Sequence, residues 1–183
     1  MTQKRSTRHM IIAAVMIAVG IVLPLALHAV PDAGKIFLPM HLPIIIAAFF
    51  LPWTWAAVVG FITPILSFLL TGMPALAPIP MVIIMPFELA TYAIIISLLR
   101  KKVIHANKWY SPLFAVIPAM IAGRIVAGGV LFALLKIYLP IQISPMVFIW
   151  GGITTGIPGI IIQIILVPVL YHVLMRNLKW YKQ

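Results

Sequence analysis

The sequence predicts an all-α integral membrane protein that folds as a compact bundle of six transmembrane helices. Of its 183 residues, 64% are hydrophobic and only 8% are charged, and the mean hydropathy is +1.19. So few polar groups cannot cover the surface of a soluble domain, which makes lipid the expected solvent. The apolar runs have the length of helical spans and lack the short alternating pattern of membrane strands.

The first span is predicted at 10–29, directly after the basic residues Lys4, Arg5 and Arg8. This segment superficially resembles a secretory signal. Its apolar run of roughly eighteen residues is longer than a signal core of about seven to fifteen, and no convincing A-x-A cleavage site follows. We therefore expect a retained first helix.

The remaining apolar sequence divides into five more segments when about 20 residues are allowed for each span. The predicted spans are 36–51, 54–71, 81–99, 111–137 and 147–174. The sequence shows no internal repeat of the inverted kind found in many secondary transporters. The simplest organisation is therefore a single domain over residues 1–183.

The basic residues predict the orientation of the bundle. Ten of the thirteen lysines and arginines lie in three short segments at span ends: Lys4, Arg5, Arg8, Arg100, Lys101, Lys102, Lys108, Arg176, Lys179 and Lys182. Such clusters mark the cytoplasmic side, which places both termini inside and the connections 30–35, 72–80 and 138–145 outside. The net charge of +11 therefore indicates membrane orientation and does not indicate nucleic-acid binding.

The composition argues against catalysis. The chain has no cysteine, and its five histidines and two acidic residues are too scattered for a metal-ligand cluster. No G-x-x-x-x-G-K-[ST] loop is present, so another subunit would have to hydrolyse ATP. Because no nucleophile and base fall at a suitable spacing, we expect no catalytic residue and no cofactor, and an intramembrane enzyme is disfavoured.

Glu88 is the one formal charge between Lys35 and Arg100. A carboxylate costs several kcal/mol in hydrocarbon, so it should face a partner, a cavity or a substrate. Tyr92 lies one helical turn further on and shares its face. Arg124 is near the middle of the fifth predicted span and needs an anion, for which Glu88 and a substrate carboxylate are both candidates.

The predicted depths of these two charges differ. Counted from the outer helix ends, Glu88 lies about 10 Å deep and Arg124 roughly 20 Å deep. Direct pairing would therefore require helix tilt or a different helix start. A structural acid paired with Arg124 and a residue that contacts ligand both remain open interpretations of Glu88.

Several segments together resemble one known family. A basic N-terminus leads into a helix with the A-x-x-x-A pattern of Ala14 and Ala18, followed by MHLPIIIAAFFLP, GFITPILSFLLTGMP and MPFELATY. This series is similar to the substrate-binding S component of an energy-coupling factor (ECF) vitamin transporter. Within that superfamily, P-M-H-L-P, L-L-T-G-M-P and F-E-L-A-T-Y are most similar to the pantothenate S component. The chain departs mildly at Ala93, where similar chains often have glycine.

The resemblance implies a multi-pass protein of the bacterial plasma membrane that captures a small vitamin from outside, with pantothenate as the expected vitamin. It implies delivery together with a transmembrane T component and two ATPase subunits, with Ala14 and Ala18 contacting the T component. Together with the arguments from burial and spacing, this gives the predicted substrate-binding residues His41, Gly72, Met73, Glu88, Tyr92, Arg124 and Trp150.

Several of these site residues also have a more ordinary interpretation. His41 can form a helix-end hydrogen bond, the Gly72–Met73 segment can be a simple turn, and Trp150 can anchor the membrane interface. Thr63, Ser67 and Thr71 form a polar stripe at helical spacing. Because such stripes usually bond their own backbone, they are left outside the predicted site.

Two other functions are consistent with the same residues. S components share a fold while their pockets differ, so another vitamin or vitamin precursor is the first alternative. A self-sufficient secondary carrier or channel is a more distant one. It would need proton or ion coupling through Glu88, and its transport would persist without any ATPase.

Overall fold

The computed structural model describes residues 2–27, 32–106, 108–137 and 144–177. Within these ranges the chain forms helices and no strand: α1 (Thr2–Ala26), α2 (Ala33–Phe37), α3 (His41–Phe50), α4 (Trp53–Thr71), α5 (Met81–Ala106), α6 (Leu113–Ile137) and α7 (Pro145–Asn177). Most of the predicted outer connection 138–145 lies outside the described residues, as do Lys179 and Lys182.

Five of these helices, α1, α4, α5, α6 and α7, are long and apolar enough to cross a membrane. The sixth predicted span, 36–51, is different: α2 has five residues and α3 has ten. Ten helical residues extend about 15 Å, which is half of the roughly 30 Å hydrocarbon core. The prediction of six full spans is therefore corrected to five spans and a shorter helix.

The break between α2 and α3 has a local cause. Leu38 adopts a left-handed conformation with φ of 50°, and Pro39 follows it. Proline disfavours the right-handed helical conformation in the residue before it, so the chain turns here and does not continue the helix. His41 consequently begins α3 at the level of a cavity described below.

Helix α3 forms the centre of the bundle. Nine of its ten residues are buried, and it packs against α1, α4, α5 and α7. A helix that is apolar all round is typical of a protein core. At its end, the buried Leu51 carbonyl accepts hydrogen bonds from Ser97 Oγ and Arg100 Nη1, both at 2.7 Å. These bonds anchor the short helix to α5.

Glycines allow the long helices to approach one another closely. A Cβ atom at Gly60 of α4 would overlap the backbone of Leu89 in α5, and one at Gly123 of α6 would overlap the ring of Tyr92. Small residues at such contacts let membrane helices pack backbone to backbone. The α4, α5 and α6 helices therefore hold a defined register.

The two small-residue faces have different surroundings. Gly152 of α7 lies against the Arg124 guanidinium, and Gly156 lies against the Leu38 side chain, so this face packs within the chain. Ala14 and Ala18 of α1 are exposed. The latter face is thus open to lipid or to another protein.

Candidate functional site

One end of the bundle contains a cavity of about 440 Å³. This volume lies within the range of roughly 300–1,000 Å³ that is typical of small-molecule sites. The described residues that line it are Pro24, Leu25, Leu27, Asp32, Gly34, Lys35, Leu38, Pro39, Met40, His41, Ser67, Thr71, Met73, Pro74, Ala75, Met81, Met85, Glu88 and Arg124.

The cavity contains a buried ion pair between α5 and α6. Arg124 Nη1 lies 3.2 Å from Glu88 Oε1, and the Glu88 side chain is 1% exposed. No other described side chain forms an ion pair with Arg124. A guanidinium has five N–H donors, so Arg124 keeps donors for a second anion in the cavity.

The pairing resolves the difference in predicted depth. Arg124 is thirteen residues from the end of α6 at Ile137, whereas Glu88 is seven residues from the start of α5 at Met81. Because the contact of Gly123 with Tyr92 sets the register, α6 extends about 9 Å further than α5 at this end. The predicted depths of Glu88 and Arg124 differed because the outer ends of α5 and α6 were assumed to lie at the same level in the membrane. In the structure these two helix ends are not level.

Two further side chains surround the carboxylate. The Tyr92 hydroxyl donates a hydrogen bond of 3.3 Å to Glu88 Oε1. His41 Nε2 lies 3.8 Å from the same oxygen, and the imidazole meets the Tyr92 ring edge to face at 5.5 Å. Neither His41 nitrogen has a hydrogen-bond partner among the described residues, although both are buried. The imidazole thus retains unused hydrogen-bonding capacity beside the cavity.

The remaining wall is mostly apolar. Met40, Met73, Met81 and Met85 contribute to it, together with leucines and prolines from α1 and from the 34–40 segment. Methionine is flexible and polarisable, so it adapts to irregular apolar ligand surfaces. The cavity therefore combines a charged end with an adaptable apolar wall, an arrangement that suits a small amphiphilic anion.

The structure brings four of the predicted substrate-binding residues to the cavity: His41, Met73, Glu88 and Arg124. Gly72, Tyr92 and Trp150 do not line it. Gly72 ends α4 in a left-handed conformation, with its N–H donating to the Phe68 carbonyl. Tyr92 is buried and donates its hydrogen bond to Glu88, which lines the cavity. Trp150 is 61% exposed. Ligand contact by these three residues stays a prediction.

Sequence reasoning omitted two features of the cavity. Ser67 belongs to the polar stripe outside the predicted site, yet its buried side chain lines the wall. Asp32 and Lys35 also line the cavity and form an exposed ion pair of 3.0 Å. The spacing of Thr63, Ser67 and Thr71 was the available signal for Ser67, but it could not distinguish a helix contact from a cavity contact.

The described residues contain no cluster of three or more His, Cys, Asp or Glu side chains that could hold a metal ion. Two side chains in the cavity can form hydrogen bonds to an organic ligand. Arg124 offers N–H donors, and the His41 nitrogens, which have no hydrogen-bond partner among the described residues, offer one donor and one acceptor in the neutral ring.

Comparison with known proteins identifies one family. No curated protein and no solved structure matches the chain. A family model described as "ECF transporter, substrate-specific component" matches residues 8–171, which is most of the chain. That family consists of multi-pass membrane subunits that bind a small-molecule substrate and work with T and ATPase partners. The chain therefore belongs to the family of substrate-specific components of ECF transporters.

Proposed function

We propose that this chain captures pantothenate from outside a bacterial cell and delivers it across the plasma membrane together with a T component and two ATPase subunits. The main support is the position of Arg124, whose guanidinium lines the cavity and retains donors beyond its contact with Glu88. A vitamin carboxylate would be its second anion. In a low-dielectric cavity such a charge-assisted contact is strong.

The volume and chemistry of the cavity agree with this substrate. Pantothenate has a carboxylate at one end, a central amide, and a branched apolar segment that carries hydroxyls at the other end. The carboxylate would contact Arg124, and the branched segment would pack against the methionines of the wall. His41 supplies hydrogen bonds for the polar groups between them.

The orientation of the bundle supports capture from outside. Residues at the end of α1, the end of α4 and the start of α5 line the cavity. Arg100, Lys101 and Lys102 lie at the opposite end of α5. If basic residues mark the cytoplasmic side, both termini are cytoplasmic and the cavity is in the outer half of the membrane.

The exposed face of α1 supports the proposed partnership. Ala14 and Ala18 are exposed, whereas the glycine face of α7 is occupied by Arg124 and Leu38. An exposed small-residue face lets a second membrane protein approach closely. We propose that the T component occupies this face.

Purification without added vitamin tests the substrate directly. The protein is isolated in detergent, denatured, and the released small molecules are identified by mass spectrometry. Pantothenate at close to one molecule per chain is the expected result. A different vitamin at that occupancy would support the first alternative and contradict the pantothenate assignment.

Reconstitution distinguishes a transporter subunit from a secondary carrier. The chain alone in liposomes should bind pantothenate without accumulating it, and accumulation should require the T component, the ATPases and ATP. Uptake by the chain alone, driven by a proton or sodium gradient, would contradict the proposal. Glu88→Gln then tests whether that uptake depends on the buried acid.

A further inference from the structure

We infer that Ser67 binds a hydroxyl group of the substrate, at a position in the cavity separate from Arg124. The inference rests on the proposed function, because it extends the same site. Ser67 lies on α4, whereas Glu88 and Arg124 lie on α5 and α6. The Ser67 side chain lines the cavity and is 1% exposed, and its Oγ has no hydrogen-bond partner among the described residues.

Four threonines on the long helices behave differently. Thr63, Thr71, Thr91 and Thr154 donate to the carbonyl four residues earlier, at distances of 2.6–3.0 Å. This local bond is the usual solution for a hydroxyl in a membrane helix. Ser67 does not form it, so its donor and acceptor capacity is left for something outside the helix.

A buried hydroxyl without a hydrogen-bond partner is unfavourable, because it has lost its hydrogen bonds to water. A ligand hydroxyl would remove this penalty, because two hydroxyls can exchange donor and acceptor roles. The neighbouring Thr71 is less suited to bind a ligand hydroxyl, because its own hydroxyl already donates to the Ser67 carbonyl and accepts from the Met73 N–H. Ser67 is therefore suited to select substrates that combine a carboxylate with a hydroxyl.

The test compares two probes. One is pantothenate, and the other is its dideoxy analogue, which keeps the carboxylate, the amide and the branched apolar group but lacks both hydroxyls. Each probe is titrated by calorimetry into wild type, Ser67→Ala and Thr63→Val. Thr63 is the matched control, because it is a buried hydroxyl on the same helix that does not line the cavity and is bonded to the Val59 carbonyl.

We expect Ser67→Ala to weaken pantothenate binding about fivefold to tenfold and to leave the affinity for the dideoxy analogue unchanged. Thr63→Val should affect neither affinity. The melting temperature of ligand-free Ser67→Ala should equal or exceed that of wild type, because the variant removes an unpartnered group. A structural serine would give the opposite change in melting temperature.

The results that would contradict the role of Ser67 differ from the result that would contradict the proposed function. Unchanged pantothenate affinity in Ser67→Ala, or equal losses for both probes, would overturn the role of Ser67 while the proposed function stands. A wild-type protein that binds neither probe would overturn both the proposed function and this inference.

Discussion

The Arg124 guanidinium of α6 lies 3.2 Å from the Glu88 carboxylate of α5, and both side chains line the cavity. Two opposite charges from neighbouring helices thus neutralise each other where either alone would be costly. The Tyr92 hydroxyl further supports the carboxylate. This relationship makes the ion pair a structural link between helices, and we propose that it also serves as a preformed site for an anionic ligand.

The first prediction separates these two roles. Arg124→Gln should lower pantothenate affinity by about thirtyfold, corresponding to roughly 2 kcal/mol for a lost charge-assisted contact. It should also destabilise the protein, because Glu88 is left buried and unpaired. The double variant Arg124→Gln/Glu88→Gln should regain stability but not affinity. Calorimetric titrations and thermal melts of both single variants and the double variant provide the measurement.

Lys136→Gln is the matched control for the loss of charge, because Lys136 lies on the same helix, is exposed and does not line the cavity. It should bind pantothenate as wild type does. Recovery of affinity in the double variant would show that Arg124 only neutralises Glu88. Unchanged affinity in Arg124→Gln would remove this residue from the ligand site.

The second prediction concerns the register of α5 and α6. Gly123→Ala should destabilise the protein by about 1–3 kcal/mol, because the new Cβ would overlap the Tyr92 ring and lie 3.2 Å from the Glu88 carbonyl. The resulting shift should also weaken the Glu88–Arg124 pair and reduce pantothenate affinity. Thermal melts in detergent and calorimetry measure the two effects.

Gly129→Ala is the control on the same helix, since nothing lies within 4 Å of its Cβ position. It should be neutral or stabilising by up to about 1 kcal/mol, as expected for alanine replacing glycine in a helix. Equal behaviour of the two alanine variants would be inconsistent with register control by Gly123.

The third prediction addresses partner docking through α1. Ala14→Trp should abolish pantothenate uptake in cells and prevent co-purification with the T component, because a bulky side chain separates the two backbones. Pantothenate binding to the isolated chain should survive, since Ala14 is exposed and lies away from the cavity residues. Uptake assays and pull-downs measure the first effect, and calorimetry measures the second.

Val19→Trp is the comparison variant. Val19 is also exposed on α1, but it lies about 140° around the helix from Ala14 and about 100° from Ala18. We expect it to dock and transport normally. Normal uptake by Ala14→Trp would show that the T component binds elsewhere.

The fourth prediction concerns the end of α3. The Leu51 carbonyl accepts hydrogen bonds from both Ser97 and Arg100, so either donor can satisfy it after the other is removed. Ser97→Ala and Arg100→Met should each cost about 1 kcal/mol, whereas the double variant should cost more than their sum because a buried carbonyl is then unpaired. Thermal melts test this, with the exposed Lys102→Met as the control. Additive losses would argue against a shared acceptor.

Local patterns in the sequence were sufficient for much of the fold. The length of the apolar runs predicted the five long helices, because a span must satisfy its backbone internally over a fixed membrane thickness. Helical spacing also predicted that Glu88 and Tyr92 share one face, and the structure confirms this with their hydrogen bond. Both properties depend on neighbours within one helix.

Relationships between helices required the tertiary structure. The pairing of Glu88 with Arg124 depends on how far α6 extends past α5, and the contact of Gly123 with Tyr92 determines that offset. Hydropathy carries no information about such offsets, because sliding one helix along another leaves each apolar run unchanged. For the same reason, the sequence could not predict that Ser67 lines the cavity.

The break in the second predicted span depends partly on the local sequence and partly on the tertiary structure. Pro39 is visible in the sequence and weakens the helix locally, yet other prolines, such as Pro64, lie inside unbroken helices. Near Pro39 the chain turns and brings His41 to the cavity, and α3 is buried among four helices. Local sequence patterns are sufficient to predict which segments are helical and apolar. Packing among those segments decided where the second one breaks and which polar side chains meet, because both depend on contacts between residues far apart in the chain.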